Sequence, residues 1–195
     1  IPSYFSHIIQ THKKILNDYA YIVRNDIRFN RLYMDCNSIL YDIFHSTEQS
    51  YSTDVLYNTI IENTIKKIEI YIKQIKPTDC IYIAFDGVAP MAKMEQQRTR
   101  RYKSWFESSI CKSINPPTNT TTTQTNLEKT TCIFTPGTKF MQQLSVSVQE
   151  HFNNNASKYN VKNIIVATPD HPGEGEHKLY AHLRENPCLE NETSI

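Results

Sequence analysis

Glycine is scarce in this chain. Four occur in 195 residues, Gly87, Gly137, Gly173 and Gly175, where ordinary usage would place roughly fourteen. A chain this poor in glycine keeps it mainly where the backbone needs it, so those positions are marked before any motif is considered. Strong net charge is also missing: 21 Lys and Arg stand against 20 Asp and Glu, a formal +1. Polyanion binding must therefore come from a local cluster of charge. No run of about eighteen apolar residues occurs, which argues against a membrane span. The N-terminus lacks the charged, apolar and small-residue regions of a signal peptide. Five cysteines, Cys36, Cys80, Cys111, Cys132 and Cys188, form no C-x-x-C pair. Their odd number and wide spacing argue against a disulfide framework and a zinc ribbon. Reduced thiols and an intracellular setting, cytoplasmic or nuclear, are the expectation.

What is present reads as an ordinary soluble globule of one domain, 39% hydrophobic and 21% charged. Three short segments have strand character, and each leads into acid. Leu32 to Met34 run into Asp35, Cys80 to Phe85 into Asp86, and Asn163 to Thr168 through Pro169 into Asp170 and then Gly-Glu-Gly-Glu. Helical patterns lie between, so the expected fold is α/β, a mostly parallel sheet flanked by helices. A helix beginning at a Thr53 or Asp54 cap carries Ile61, Ile65, Ile68, Ile72 and Ile75 on one face before Pro77. Another is predicted over Tyr4 to Leu16, and a third after Thr135-Pro136, burying Phe140, Met141, Leu144, Val148 and Phe152. Residues 115–131 are too polar to bury and read as a flexible loop inside the domain.

In an open parallel sheet, ligands gather beyond the carboxyl ends of the strands. Asp35 and Asp86 belong there, and the third strand leads within a few residues to Glu174 and Glu176. Four acids in one place repel each other, and a hard divalent cation, Mg²⁺ or Mn²⁺, is the usual remedy. Such a site suits phosphoryl chemistry. The bland alternative makes each acid a turn or helix-cap residue. After Asp86-Gly-Val-Ala-Pro a helix carries Lys93, Gln97, Arg100 and Arg101 within about 100° of one face. Arginine forks and a lysine point charge match a terminal phosphate, although the same spacing also describes a solvated helix face. Arg98 and Lys103 point elsewhere, and Met94, Tyr102, Trp105 and Phe106 are expected to pack the helix. A zinc site of His171, His177, His182 and Cys188 matches no common spacing.

Three stretches carry a resemblance beyond spacing. Asp86-Gly-Val-Ala-Pro-Met-Ala-Lys-Met-Glu-Gln-Gln-Arg-Thr-Arg-Arg101, Thr135-Pro-Gly-Thr-Lys-Phe-Met141 and Pro172-Gly-Glu-Gly-Glu-His-Lys178 together resemble the Xrn family of 5′-to-3′ exoribonucleases. Ile1-Pro-Ser-Tyr-Phe is similar to the family's start after Met-Gly, and Met34-Asp-Cys-Asn-Ser-Ile-Leu40 to its first acidic motif. The resemblance spans nearly the whole chain and implies a PIN-like, flap-endonuclease-like nuclease core. It also implies Mg²⁺ or Mn²⁺ and single-stranded RNA with a 5′-monophosphate as substrate, hydrolysed to nucleoside 5′-monophosphates. Carried over by position, Asp35, Asp86, Glu174 and Glu176 become metal ligands or their close support. Lys93, Gln97, Arg100 and Arg101 become the 5′-phosphate pocket, and Asn37 supports the acids.

Two departures stand out. Tyr41 occupies the place where the family usually has a base-stacking histidine, and its ring can still stack. Family members also continue into a further strand bearing metal-binding aspartates, and residues 179–195 hold no substitute for them. The expectation is therefore an N-terminal nuclease domain over residues 1–195 whose metal site is completed by the remainder of a longer chain. The competing readings are a 5′ nuclease acting on DNA and a non-catalytic relative kept for RNA binding or a structural role.

Overall fold

The structure, a computed structural model, describes residues 4–13, 19–47, 52–114, 131–187 and 193–195. Strands β1 (Arg31–Asp35), β2 (Cys80–Ala84) and β3 (Asn163–Ala167) pair in parallel in the order β1-β2-β3. The α/β expectation and all three strand assignments hold. The central run Cys-Ile-Tyr-Ile-Ala is buried at every position, as a parallel strand covered on both faces must be. Thr193–Ile195 lies beside the outer edge of β1 in the same direction: Tyr33 N–H donates to the Ile195 carbonyl at 2.7 Å.

The larger core lies on one face of the sheet, under α3 (Asn37–Ser46), α4 (Thr53–Ile75) and α6 (Lys139–Phe152). The isoleucine stripe of α4 packs as its period requires, with Ile61, Ile68 and Ile72 buried and Ile65 and Ile75 partly so. All five apolar residues assigned to α6 are buried. Two buried hydroxyls within these helices are satisfied locally, Thr64 by the Ile60 carbonyl at 2.7 Å and Ser145 by that of Met141 at 2.9 Å. The opposite face is covered by α7 (Gly175–Glu185), with Tyr33, Ile165 and Leu179 around buried Tyr82, Ala84 and Ala167.

Helix starts needed tertiary information. The cap of α4 is Ser52, not Thr53 or Asp54. The cap of α6 is Thr138, three residues past the Thr-Pro signal: its hydroxyl accepts from Met141 N–H at 3.4 Å and lies 2.9 Å from the Thr135 carbonyl. Thr135-Pro136-Gly137 instead forms the turn between a 3₁₀ segment (Thr131–Phe134) and that cap. The first helix, α1 (Tyr4–Thr11), is shorter than expected, and residues 14–18 lie outside the described residues. So do residues 115–130 of the polar loop, while its last position, Thr131, opens the 3₁₀ segment. A further short helix, α2 (Tyr19–Arg24), precedes β1.

Helix α5 (Met91–Ile114) departs most from expectation. Tyr102, Trp105 and Phe106 are 65%, 62% and 49% exposed, and Met94 is exposed as well. They do not pack the helix against the body. Among the described residues no other element packs extensively along α5, and the Tyr102 ring meets those of Trp105 and Phe106 instead.

Candidate active site

The carboxyl edge of the sheet gathers the acids because two loops cross there. Beyond the ladder, Phe85 N–H still reaches the Ala167 carbonyl at 3.0 Å. The chains after β2 and β3 then exchange a pair of hydrogen bonds, Gly87 N–H to Gly173 O and Gly173 N–H to Val88 O, both 2.9 Å. A Cβ at Gly87 would stand 1.8 Å from the His171 carbonyl oxygen, so this crossing admits only glycine. The crossing brings the start of α7 against the ends of β1 and β2. Gly175 N–H donates to Asp86 Oδ1 at 2.6 Å, a carboxylate at a helix N-terminus. A Cβ at Gly175 would lie 2.8 Å from Asp35 Oδ1.

Asn37 organises the same corner. Its backbone N–H donates to Asp35 Oδ1 at 3.3 Å, and its side-chain oxygen accepts from Asp86 N–H at 3.2 Å. Glu174 occupies the cap position of α7 yet makes no capping hydrogen bond with its side chain. It is buried, with Oε2 at 3.5 Å from the Lys93 ammonium. Its Oε1 is buried without a hydrogen-bond partner among the described residues, a costly state for a polar oxygen. Glu176 is exposed at the start of the helix. One ligand atom each from Glu174, Glu176 and His177 lie within 4.8 Å of one another.

The four acids read from the sequence thus share one neighbourhood. Burial pushes the Asp35 carboxyl above its ordinary value, the charges of Asp86, Glu176 and Glu174 push it the same way, and only the Asn37 N–H opposes them. Clustered oxygen donors whose charges raise the Asp35 pKa, with one buried oxygen orphaned among the described residues, fit a hard divalent cation. His177 falls among these acids, His182 packs against the Tyr82 ring at 4.7 Å, and Cys188 lies outside the described residues.

Beside the acids opens a cleft of about 470 Å³. Asp86 and Glu174 line it together with Lys93, Gln97, Arg100 and Arg101 of α5, Lys93 lying beside Glu174. Neither Arg100 nor Arg101 is ion-paired among the described residues. Asn37 and Tyr41 contribute from α3, so eight of the ten residues singled out in the sequence line one cleft, while Asp35 and Glu176 stand outside its lining. The Tyr41 ring meets Phe134 edge-on at 5.1 Å. Burial raises its hydroxyl pKa, partly offset by the Arg101 charge, so the phenol is neutral at pH 7.

Sequence reasoning missed part of this lining and one residue beneath it. Phe134, Thr135 and Pro136 also line the cleft; in the sequence Thr135-Pro136 reads as a helix start and not as part of a site. Lys178, one turn after Glu174, points under the acids and donates to the Phe85 and Thr168 carbonyls at 2.8 and 2.9 Å. Burial lowers its pKa, while Asp86, Asp170 and Asp35 act in the opposite sense. Its i+4 relation to Glu174 was the available signal.

Residues 1–194 match the family model described as "XRN 5'-3' exonuclease N-terminus". The chain is 32% identical over 190 residues to 5'-3' exoribonuclease 1 of Saccharomyces cerevisiae, an alignment covering 94% of this chain and 12% of that protein. It is 33% identical over 161 residues to human 5'-3' exoribonuclease 1, covering 80% of this chain and 9% of the relative. Against the Drosophila melanogaster 5'-3' exoribonuclease 2 homolog, identity is 31% over 192 residues, 90% of this chain and 20% of the relative. The chain therefore spans between about a tenth and a fifth of the length of these relatives. A family match over nearly every residue, on a parallel sheet whose carboxyl edge collects these acids, places the chain in the XRN 5'-3' exonuclease N-terminal family.

Proposed function

We propose that this chain provides the nuclease site of a 5′-to-3′ exoribonuclease acting on single-stranded RNA with a 5′-monophosphate and releasing nucleoside 5′-monophosphates. One observation carries the reading: Arg100 and Arg101, without an ion pair among the described residues, share a cleft with Asp86 and with Glu174, whose buried Oε1 has no hydrogen-bond partner among the described residues. The basic wall suits a terminal phosphate, since guanidinium forks match its oxygens and keep their charge at neutral pH. Gln97 adds a neutral donor, and the Tyr41 ring, held edge-on by Phe134, offers the first base an aromatic face. A terminal phosphate seated there places the first phosphodiester toward the acids. A pocket closing around a single phosphate disfavours triphosphate and capped ends by size.

Asp35, Asp86, Glu174 and Glu176 would hold Mg²⁺ or Mn²⁺, with His177 adjacent. Such a cation, when bound, supplies charge stabilisation to the phosphodiester and a more acidic attacking water. The residues' own part is orientation. Asp86 is fixed by Gly175 N–H and Asn37, Asp35 by Asn37 N–H, and Lys93 keeps Glu174 facing the cleft. The choice of RNA rests on the names of the relatives.

The test compares 5′-monophosphate, 5′-triphosphate and 5′-hydroxyl RNA with matched DNA, using the intact chain and Mg²⁺. Mononucleotide release confined to the monophosphate RNA is the expected result. Equal cleavage of DNA would favour a structure-specific 5′ nuclease, and binding without turnover a non-catalytic relative; either overturns the reading.

A further inference from the structure

The acid edge has a strut of its own. Between the last ladder bond, Phe85 N–H to Ala167 O, and the Gly87–Gly173 exchange, the chains leaving β2 and β3 share no backbone hydrogen bond. Lys178 spans that gap. Its ammonium donates to the Phe85 carbonyl, just before Asp86, and to the Thr168 carbonyl, just before Pro169-Asp170. Lys178 is half-buried and makes no ion pair with a carboxylate among the described residues, so its hydrogen bonds go to backbone. Because it sits four residues after Glu174 on α7, the same side chain ties the helix carrying Glu174 and Glu176 to both strand ends.

We propose that Lys178 is a positioning residue for the acid edge: by pinning the carbonyls of Phe85 and Thr168 to α7 it holds Asp86 and Glu174 at the separation a shared cation requires. The inference rests on reading that edge as a cation site. It makes a prediction whose sign separates positioning from charge. Removing a positive charge from beside four carboxylates would tighten cation binding by Coulomb's law alone, whereas losing the strut weakens it.

The test uses Lys178→Met and Lys178→Arg in the intact chain, with Mn²⁺ affinity read from the electron paramagnetic resonance signal of free Mn²⁺. Lys178→Met is expected to weaken Mn²⁺ binding roughly 10- to 100-fold, the range for residues that orient metal ligands, with Lys178→Arg between it and wild type. Amide exchange of the metal-free proteins gives an independent reading. Gly87 and Gly173 should exchange faster in Lys178→Met, while Ile81 and Ile83 of β2 stay protected. Unchanged or tighter Mn²⁺ binding by a folded Lys178→Met protein overturns the proposal. If wild type takes up no Mn²⁺, the cation reading fails by itself, and unchanged exchange at Gly87 and Gly173 then overturns the strut. Should Lys178→Met not fold, Lys178→Gln, which is too short to reach both carbonyls, takes its place, and wild-type exchange and Mn²⁺ binding in that protein overturn the proposal as well.

Discussion

Glu69 and Glu174 are the same side chain in opposite circumstances. Glu69, on α4, accepts from the Tyr159 hydroxyl at 2.7 Å, lies 2.9 Å from His151 Nε2 and accepts from Lys158 at 3.0 Å, all on Oε1. Lys73 stands 3.6 Å from its other oxygen. The Tyr159 hydrogen bond above all, with those of His151 and Lys158, outweighs burial and holds its pKa down to about 2. Glu174 has one ammonium at 3.5 Å and an oxygen with no partner among the described residues. Where the chain completes a carboxylate's coordination itself, the result is a brace between helices; where it leaves the coordination open beside more acids, the result is a place for a ligand.

The strongest way to break this contrast is at the open end. Asp86→Ala removes a carboxylate from the cleft and the cap from Gly175 N–H, and is expected to lower RNA hydrolysis by about 10³-fold or more, measured by single-turnover release of mononucleotide. Next come Arg100→Ala and Arg101→Ala. On the proposed reading each removes a charge-assisted contact to the terminal phosphate and should cut the preference for 5′-monophosphate over 5′-hydroxyl RNA roughly 10- to 100-fold, leaving Mn²⁺ binding unchanged.

At the closed end, Glu69→Gln should leave hydrolysis unchanged and cost on the order of 1–2 kcal/mol of stability, seen in urea unfolding at pH 7. Because its folded pKa is depressed, the Glu69 contribution is complete above pH 4.5 and lost as pH falls toward about 2. The variant's deficit should shrink over that window. The smallest effect has the opposite sign. Asp35, with a raised pKa, holds its proton more tightly folded than unfolded, so its contribution declines as pH rises past 3.8. Asp35→Asn is expected to raise the metal-free Tm by about 1–3 °C while reducing the further rise on adding Mn²⁺.

Periodicity and composition were enough for the elements that pack. The β2 run, the α4 isoleucines and the five apolar residues of α6 needed only their spacing, because burial of each depends on its own segment's pattern. Positions set by another segment were less legible. Thr138 caps α6 through the turn that precedes it, and the exposure of Tyr102 and Trp105 depends on what does not pack against α5. The residues that gather at the cleft were legible where motif and charge coincide, as at Asp86, Lys93 and Glu174. Lys178 escaped because lysine in a polar helix looks solvated until its two carbonyl partners are seen, and Thr135 because its motif read as a helix start.

The hydrogen bond from Gly175 to Asp86 joins positions 89 residues apart. A contact of such separation carries a loop-closure cost that must be met before it forms. The four carboxylates come from three distant stretches of chain, and Glu174 and Glu176 reach the others only once β3 and α7 have docked. A chain still folding with only β1 and β2 in place presents Asp35 and Asp86 but no assembled edge. Bringing the four acids together therefore requires β3 and α7 to dock on β1 and β2.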